Sequence, residues 1–314
     1  MTTTSQRAIP GTTKNNANTP VTSNSRKHKQ DWTGWKFVAP FLLVFALVLI
    51  APVIYSLYLS VFKDQLVGGN SFVGLDNYAQ ALTDPRFWES VGRVSLFLVV
   101  QVPIMLVIAL FAALAIDSAR LHVSPFFRIA IFLPYAVPAV VATLMWGFMY
   151  GSRFGLVGNI NDLLGIVLPA PLSSGLVLAA IGNIVTWEFV GYNMILFYAA
   201  LRVIPTDLYE AAELDGAGAF RVIRSIKFPA LRPAIVIGII FSIIGSFKLF
   251  NEPSILQGLA PNSISSYFSP NLYAYNLSFA GQQYNYSATI AIIIGILTAS
   301  IAYAVQVFGS RKEV

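Results

Sequence analysis

Long apolar stretches alternate with shorter polar ones along this chain. The apolar runs are each longer than the roughly 20 residues with which a helix crosses about 30 Å of hydrocarbon. Barrel strands are only about 10 residues long and alternate in polarity, so the pattern predicts helices. We therefore predict an all-α membrane protein with six transmembrane helices at residues 37–62, 94–116, 129–152, 176–201, 233 to about 255, and 287–309.

The composition agrees with a lipid environment and excludes several kinds of chemistry. Of the 314 residues, 56% are hydrophobic and 11% are charged, whereas soluble domains carry about 25% charged residues. The sequence contains no cysteine, which excludes disulfides, thiolate catalysis and cysteine-ligated metals. His28 and His122 lie in polar segments without a metal-ligand partner at useful spacing. We predict no metal site and no cofactor.

Basic residues are distributed unevenly between the two sides of the predicted bundle. Fifteen of the 20 lysines and arginines lie on the side of both termini and of the loop 202–232, while the acidic residues divide seven to seven. Cytoplasmic segments carry such an excess of basic residues. We therefore predict that both termini and this loop are cytoplasmic. The net charge of +6 then reflects the orientation of the chain in the membrane, and we expect no nucleic acid as a partner.

Polar segments flank the predicted membrane domain at residues 37–310. Residues 1–36 lack the apolar content to fold, which predicts a disordered, basic cytoplasmic tail, and residues 311–314 form a short cytoplasmic C-terminus. The tail is not a signal peptide, because the first apolar run begins only at Phe37.

A long, nearly uncharged segment at residues 251–286 is predicted on the outer side. Its aromatic residues are typical of an interfacial aromatic belt, and direct contact with a ligand is the alternative. They are Tyr267, Phe268, Tyr273, Tyr275, Phe279, Tyr284 and Tyr286.

The loop at residues 204–229 has a helical pattern of its own. Asp207 followed three residues later by Glu210 is an N-terminal capping signature, and the helix it opens is predicted to end before Gly216. A second short helix, at about residues 220–227, is predicted to stop before Pro229. The pattern therefore predicts a compact helix-turn-helix below the membrane, suited to the cleft of another protein.

The spacing of residues in this loop resembles the EAA motif of the permease subunits of ABC importers. Glu210-Ala211-Ala212 is followed by Gly216 after three residues, by Ile226 after nine more, and then by Pro229. Phe228 stands where the family usually has Leu. Together with Phe132-Leu-Pro-Tyr-Ala-Val-Pro138 and Phe247-Lys-Leu-Phe-Asn-Glu252, the motif makes residues 35–310 similar to maltose-type and glycerol-3-phosphate-type sugar permeases.

The resemblance implies a type I ABC importer permease bundle, in the bacterial cytoplasmic (inner) membrane, whose loop is the coupling helix that docks on a cytosolic ATPase. The implied partners are a second homologous permease in a heterodimer, an ATPase homodimer that binds ATP and Mg, and an extracytoplasmic sugar-binding protein. An amphipathic loop lying on the lipid headgroups is the alternative. The implied coupling positions are Glu210, Ala211, Ala212, Asp215, Gly216, Gly218, Ile226 and Pro229.

The energy for transport is predicted to come from another chain. No Gly-x-x-x-x-Gly-Lys-Ser/Thr phosphate loop occurs in the sequence. We therefore predict a transport subunit that is not itself an enzyme.

Polar residues within the spans are candidates for the transport pathway, because they are costly in hydrocarbon. Aromatic faces can cover the C–H side of a sugar ring while amides and carboxylates bond its hydroxyls, which favours an uncharged mono- or oligosaccharide. By the resemblance, Tyr192, Ser242, Ser246 and Glu188 fall near sugar-contacting positions, although a carboxylate at Glu188 departs from the family pattern. The predicted pathway residues are Glu188, Tyr192, Asn193, Ser242, Ser246, Lys248, Asn251 and Glu252.

Several alternatives remain at this point. Glu188 and Lys248 form a structural ion pair in one of them, and Lys248 snorkels to the outer interface in another. A further alternative is that helix bends, and not contacts with the sugar, explain Pro134, Pro138 and Gly191. The alternative functions are an ion-coupled secondary transporter, a membrane-embedded enzyme, and a permease of the same family that carries glycerol-3-phosphate or another polyol.

Overall fold

The computed structural model describes residues 33–65, 69–118 and 123–310. The predicted tail up to residue 32 and the predicted C-terminus at 311–314 lie outside these residues. In the described part of the chain, five helices are long and apolar enough to cross a membrane, and one bent pair raises the number to six. The predicted helical membrane fold is therefore confirmed, with one small two-stranded sheet that the apolar pattern did not predict.

The first span belongs to two compact units, because only its residues up to Ala51 fall in the first unit. It consists of α1 (Thr33–Phe45), a π-helical turn (Ala46–Ile50) and α2 (Ala51–Ser60). Its helix begins at Thr33, so the last four residues of the predicted tail are helical. Every side chain from residue 35 to residue 50 is exposed. A helix of this kind suits lipid, because its backbone hydrogen bonds are made within the helix.

The second unit begins at Pro52. After α2, strands β1 (Phe62–Gln65) and β2 (Gly69–Phe72) pair antiparallel with Phe62 opposite Phe72. Helix α3 (Asp76–Thr83) follows. The buried Asn77 side chain donates to the carbonyl oxygens of Ser60 and Phe62, which holds α3 against the end of α2.

Helix α4 (Pro85–Asp117) has 33 residues, which makes it about 50 Å long. It begins at Pro85 because the carboxylate of Asp84 caps the backbone N–H of Arg86 at 2.9 Å. Its contacts with α8 (Val177–Leu201) are the most extensive between any two elements, and it also packs on α11 (Phe228–Phe247) and α13 (Pro270–Phe279). Helix α4 therefore runs through the centre of the second unit.

The third predicted span is not one continuous helix. It consists of α5 (Ser124–Phe132), a 3₁₀ turn (Leu133–Ala136) and α6 (Ala139–Met149), with a bend of 96°. The break lies at Pro134 and Pro138, because proline lacks the N–H that would continue the helix. These prolines mark a bend, as one of the alternatives held. Helix α7 (Leu156–Leu164) follows.

The predicted boundaries of the fifth span are wrong at both ends. Helix α10 (Ala219–Val222), a π-helical turn (Ile223–Lys227) and α11 follow one another directly, so the helix does not stop before Pro229. The wider π turn accommodates the hydrogen bond that the proline cannot donate. At the other end α11 stops at Phe247, and α12 (Asn251–Leu259) begins after a break of three residues.

Three buried clusters hold the helices together. The first lies between α4, α11, α13 and the last helix, α14 (Tyr284–Ser310), and the second joins α4 to α8 and α11. The third lies where α4 and α8 meet α12 and α13. Their largest fully buried side chains are Phe87, Phe197, Ile181, Ile184, Met194, Leu201, Leu231, Ile243, Leu256, Ile264, Leu272 and Ile290.

Candidate functional site

A cavity of about 460 Å³ lies among α4, the bend between α5 and α6, α8, α11 and α12. Seven of the eight predicted pathway residues line it: Tyr192, Asn193, Ser242, Ser246, Lys248, Asn251 and Glu252. The structure thus brings together residues from two predicted spans that are about 50 positions apart in the chain.

Glu188 is the predicted pathway residue that does not line the cavity. Its side chain is 3% exposed, and neither carboxylate oxygen has a hydrogen-bond partner among the described residues. Lys248 is exposed at the end of α11, and the two ion pairs found in the described part of the chain join other residues. The proposed ion pair between Glu188 and Lys248 is therefore absent from those residues.

Aromatic rings form one wall of the cavity. The rings of Tyr135 and Tyr192 are stacked, with centroids 5.2 Å apart and an interplanar angle of 25°. Phe189 meets Tyr135 edge-on at 5.7 Å. Tyr135 lies in the 3₁₀ turn between Pro134 and Pro138, so the break in the third span places it at the cavity.

The polar wall has both free and engaged groups. The buried side-chain amide of Asn193 donates to the carbonyl oxygen of Phe189 at 3.0 Å, so its oxygen remains able to accept. The hydroxyl of Ser246 donates to the carbonyl oxygen of Ser242 at 2.8 Å within α11. Such groups can accept hydrogen bonds from the hydroxyls of a ligand without a change of helix structure.

The break between α11 and α12 adds further residues to the lining of the cavity. Lys248, Leu249 and Phe250 connect the two helices and all line the cavity. Glu252 is buried in the first turn of α12, where the helix dipole favours a carboxylate. Interrupted helices beside a cavity are a recurrent arrangement in transport proteins.

Sequence reasoning missed several lining residues. Phe97, Gln101 and Tyr135 line the cavity, and two of them are aromatic residues within apolar runs, where periodicity does not distinguish them. Gln101 was the detectable one, since it is a polar residue inside the second span. It is buried and donates to the Thr186 hydroxyl at 3.1 Å, which links α4 to α8.

The predicted helix-turn-helix lies at the other end of α4. Helix α9 (Thr206–Leu214) ends in a Schellman motif, in which the N–H of Ala217 donates to Ala212 and that of Gly216 to Glu213. Gly216 has φ of +69°, which glycine adopts at low cost. The helix therefore ends where the sequence predicted. Its other end differs, because Pro205 is the N-cap residue and no side-chain cap is made, so the predicted capping box of Asp207 and Glu210 does not form.

Most of the resemblance-derived coupling positions face outward. Glu210, Ala211, Asp215, Gly216, Gly218 and Pro229 are exposed, and Ala212 and Ile226 are half-buried. An apolar cleft of about 550 Å³ lies between α9, the end of α8 and the second arm of the helix-turn-helix, which consists of α10 and the π-helical turn. Leu208 and Ile226 line this cleft. The surface thus offers both exposed acidic groups and exposed apolar groups.

The predicted aromatic belt of residues 251–286 is only partly exposed. Tyr275, Phe279 and Tyr284 are exposed, but Phe268, Tyr273 and Tyr286 are buried. The last three pack inside the protein and serve neither as an interfacial belt nor as lining of the cavity. Within residues 33–65, 69–118 and 123–310, no group of three or more His, Asp or Glu side chains is placed to hold a metal ion.

Comparisons with known proteins give consistent matches. The sequence profile of the family described as "Binding-protein-dependent transport system inner membrane component" matches residues 81–313. The lactose transport system permease protein LacF of Rhizobium radiobacter is 33% identical over 92% of this chain and 98% of its own length. The trehalose/maltose transport system permease protein MalF of Thermococcus litoralis is 30% identical over 87% of this chain and 92% of its own length.

The fold also matches a solved structure. A chain of a bacterial ABC transporter involved in the import of the acidic polysaccharide alginate superposes with a TM-score of 0.79. The match covers 90% of this chain and 96% of that chain, at 18% sequence identity. At this identity the likeness concerns the fold, which is that of an ABC transporter chain.

Proposed function

Because the chain belongs to the family of binding-protein-dependent transport system inner membrane components, we propose that it is the permease subunit of an ATP-driven importer of mono- or oligosaccharides. The observation that carries the proposal is the exposed helical turn at Gly216, which lies within the matched residues 81–313. Transport proceeds by alternating access, driven by a separate ATPase.

The cavity supports a sugar as the cargo. Its stacked Tyr135 and Tyr192 rings offer apolar faces, while Asn193, Ser242 and Asn251 offer hydrogen-bonding groups. This mixture suits a ring with one apolar face and many hydroxyls. Lys248 is the one basic residue among the lining residues, so the lining does not favour a strongly anionic cargo such as glycerol-3-phosphate. The relatives whose names mention lactose and trehalose or maltose support the same class.

The coupling helix of this proposal is α9 together with the turn at Gly216. Exposed Glu210 and Asp215 give it an acidic surface, and Leu214 beside them is 89% exposed. An apolar residue exposed beside charges at the tip of a rigid turn is suited to a protein cleft. The partner is an ATPase homodimer that binds ATP and Mg, on the cytoplasmic side with both termini of this chain.

Two further partners complete the transporter. A second, homologous permease closes the pathway, and an extracytoplasmic sugar-binding protein delivers the cargo. The fold is compatible with such a partner, because a chain of a bacterial alginate ABC transporter, solved in complex with an alginate pentasaccharide-bound periplasmic protein, superposes on this chain with a TM-score of 0.73.

A pull-down tests the proposal. The tagged full-length chain is purified in mild detergent from its native membrane, its partners are identified by mass spectrometry, and ATP hydrolysis is measured. We expect a second six-span permease and a nucleotide-binding subunit, with hydrolysis stimulated by a sugar-loaded binding protein. Recovery of the chain alone, without hydrolysis, would instead favour an ion-coupled transporter.

Three variants in α9 and the turn that follows it test the coupling surface. An added Cβ at Gly216 meets no atom within 4 Å, so a substitution acts through the positive φ and not through a clash. Gly216→Val strains this conformation, whereas Asn tolerates it. We expect Gly216→Val and Glu210→Lys to abolish uptake while the protein remains in the membrane, and Gly216→Asn to retain uptake. Uptake at the level of the parent in all three variants would show that α9 is not part of the coupling surface.

A further inference from the structure

An ion pair joins the end of α4 to the second arm of the helix-turn-helix. The Lys227 ammonium donates to Asp117 Oδ2 at 2.5 Å. Asp117 is the last residue of α4, and Lys227 is the last residue of the π-helical turn before α11. Their side chains are only 10% and 13% exposed, respectively. The pair therefore differs from a solvated surface pair, which contributes little.

Local helix stability does not account for an aspartate at this position. The C-terminal end of a helix carries a partial negative charge, so an acidic residue there is unfavourable unless a cation offsets it. Removing water from both charges is also costly, and the pair compensates for this cost only while its geometry holds. Asp117 is therefore best explained by what it holds, namely Lys227.

Lys227 also contacts α9. Its ammonium lies 5.6 Å from the centroid of the Tyr209 ring, within the range of a cation–π interaction. Burial and the negative charge of Asp117 raise the pKa of the Tyr209 hydroxyl, while Arg202 opposes the shift. Tyr209, Lys227 and Asp117 thus form one contiguous group that links α9 to α4.

Helix α4 connects this group to the cavity. Met105, which lines the cavity, is 12 residues before Asp117 on the same helix, a separation of about 18 Å along its axis. A helix embedded in packed neighbours moves largely as one body, because its interior contacts are close-packed. If a displacement of α9 moves Asp117, we therefore expect Met105 and the cavity wall to move with it.

We propose that Asp117 and Lys227 are positioning residues that hold α9 to α4, so that a displacement of the coupling helix moves the cavity wall. The proposal rests on the proposed importer function, since only an ATPase bound at α9 would start the movement there. The tie itself is a property of this chain and can be tested without any partner.

The natural absence of cysteine allows a direct distance measurement. Ala115→Cys on α4 and Asp207→Cys on α9 are both at exposed positions. Spin labels at these sites, in the full-length chain in lipid nanodiscs, report the α4–α9 distance by pulsed electron paramagnetic resonance. We expect one narrow distance in the parent and a broader and longer distribution in Asp117→Asn.

A matched control separates this tie from a general loss of charge. Glu89→Gln breaks the other ion pair of α4, with Arg93 at 2.6 Å, and we expect it to leave the label distance unchanged. An unchanged distance in Asp117→Asn would overturn the proposal. A change in Glu89→Gln equal to that in Asp117→Asn would overturn it as well.

The coupling role requires a second comparison in the co-purified complex. Between the nucleotide-free and the ATP–vanadate-trapped states, we expect the label distance to stay constant with Asp117 present and to change in Asp117→Asn. A distance that changes with Asp117 present would overturn the coupling role. If no ATPase subunit co-purifies, the importer proposal fails, while the nanodisc result on the tie still stands.

Discussion

Asp84 Oδ2 accepts a hydrogen bond of 2.6 Å from the hydroxyl of Tyr273, a residue 189 positions further along the chain. The same oxygen accepts a second bond, of 2.8 Å, from Tyr286. Asp84 is also the N-cap of α4, so one carboxylate joins the starts of α4 and α14 to α13. This group lies at the end of α4 opposite Asp117.

Removing one of these bonds should destabilise the protein. Hydrogen bonds to a charged group contribute about 1.5–3 kcal/mol each, and we expect Tyr273→Phe to lower the free energy of unfolding by about that amount. Thermal unfolding in detergent measures the change. Tyr275→Phe is the matched control, since it removes a hydroxyl from an exposed residue of the same helix. Equal losses in both variants would refute a specific role for Asp84.

The same carboxylate predicts a pH dependence. Burial raises the pKa of Asp84, but hydrogen bonds from Tyr273, Tyr286 and the backbone N–H groups of Arg86 and Phe87 outweigh it and leave the pKa below its ordinary value of 3.8. Burial and the neighbouring Asp84 raise the pKa of Tyr273, which keeps its hydroxyl a donor.

Because the folded-state pKa of Asp84 is lowered, its contribution to stability is complete above pH 3.8 and is lost as the pH falls through the folded-state value. We expect the difference in melting temperature between the parent and Asp84→Asn to shrink in that acidic range. Asp64→Asn, at an exposed carboxylate of β1, provides the comparison. A difference that stays constant with pH would contradict the assignment.

Gly191 predicts a different kind of effect. A Cβ there would lie 2.1 Å from the carbonyl oxygen of Ile131 and 2.7 Å from the Cα of Phe132. The glycine lies within helix α8, which continues on both sides of it. It allows α8 to approach the backbone of α5, as small residues do between membrane helices.

We expect Gly191→Ala to lower the free energy of unfolding by at least about 1–3 kcal/mol, the usual cost of overpacking. Gly295→Ala is the control, because an added Cβ in α14 meets no atom within 4 Å and alanine favours a helix by up to about 1 kcal/mol. The melting temperature should therefore fall in Gly191→Ala and rise in Gly295→Ala. A parallel shift would show that the close approach at Gly191 is not what limits this position.

Prolines illustrate what the sequence could and could not predict. The spans themselves followed from apolar runs, because the bilayer imposes length and polarity on every crossing segment. Pro134 and Pro138 lie at the break between α5 and α6, whereas Pro229 lies within a continuing helix, because a π-helical turn directly before it accommodates the missing hydrogen bond. That outcome depends on the backbone of the preceding turn and leaves no signature in the hydrophobic pattern.

The candidate site shows the same division. Polar residues such as Asn193 and Ser246 were found because polarity is rare within spans. Tyr135 was not, since an aromatic residue in an apolar run is equally suited to lipid, to the core or to a cavity. The helix break that brings Tyr135 to Tyr192 decides between these environments.

The stacked pair of Tyr135 and Tyr192 predicts the behaviour of the sugar site. If the ring face of Tyr192 is what contacts the cargo, Tyr192→Phe keeps the face and should retain uptake, whereas Tyr192→Leu removes it. Loss of an aromatic contact costs about 0.5–1.5 kcal/mol, so we expect Tyr192→Leu to raise the sugar concentration for half-maximal uptake by about two- to tenfold.

Uptake is measured in cells with a panel of radiolabelled sugars, and the sugar that the parent takes up is then used for the variants. Tyr303→Leu is the control, because this tyrosine of α14 is 69% exposed and does not line the cavity. Loss of affinity in both leucine variants would indicate a general effect on the fold. Loss in Tyr192→Phe as well would mean that the hydroxyl, and not the ring face, binds the sugar, because the ring is the part that phenylalanine preserves.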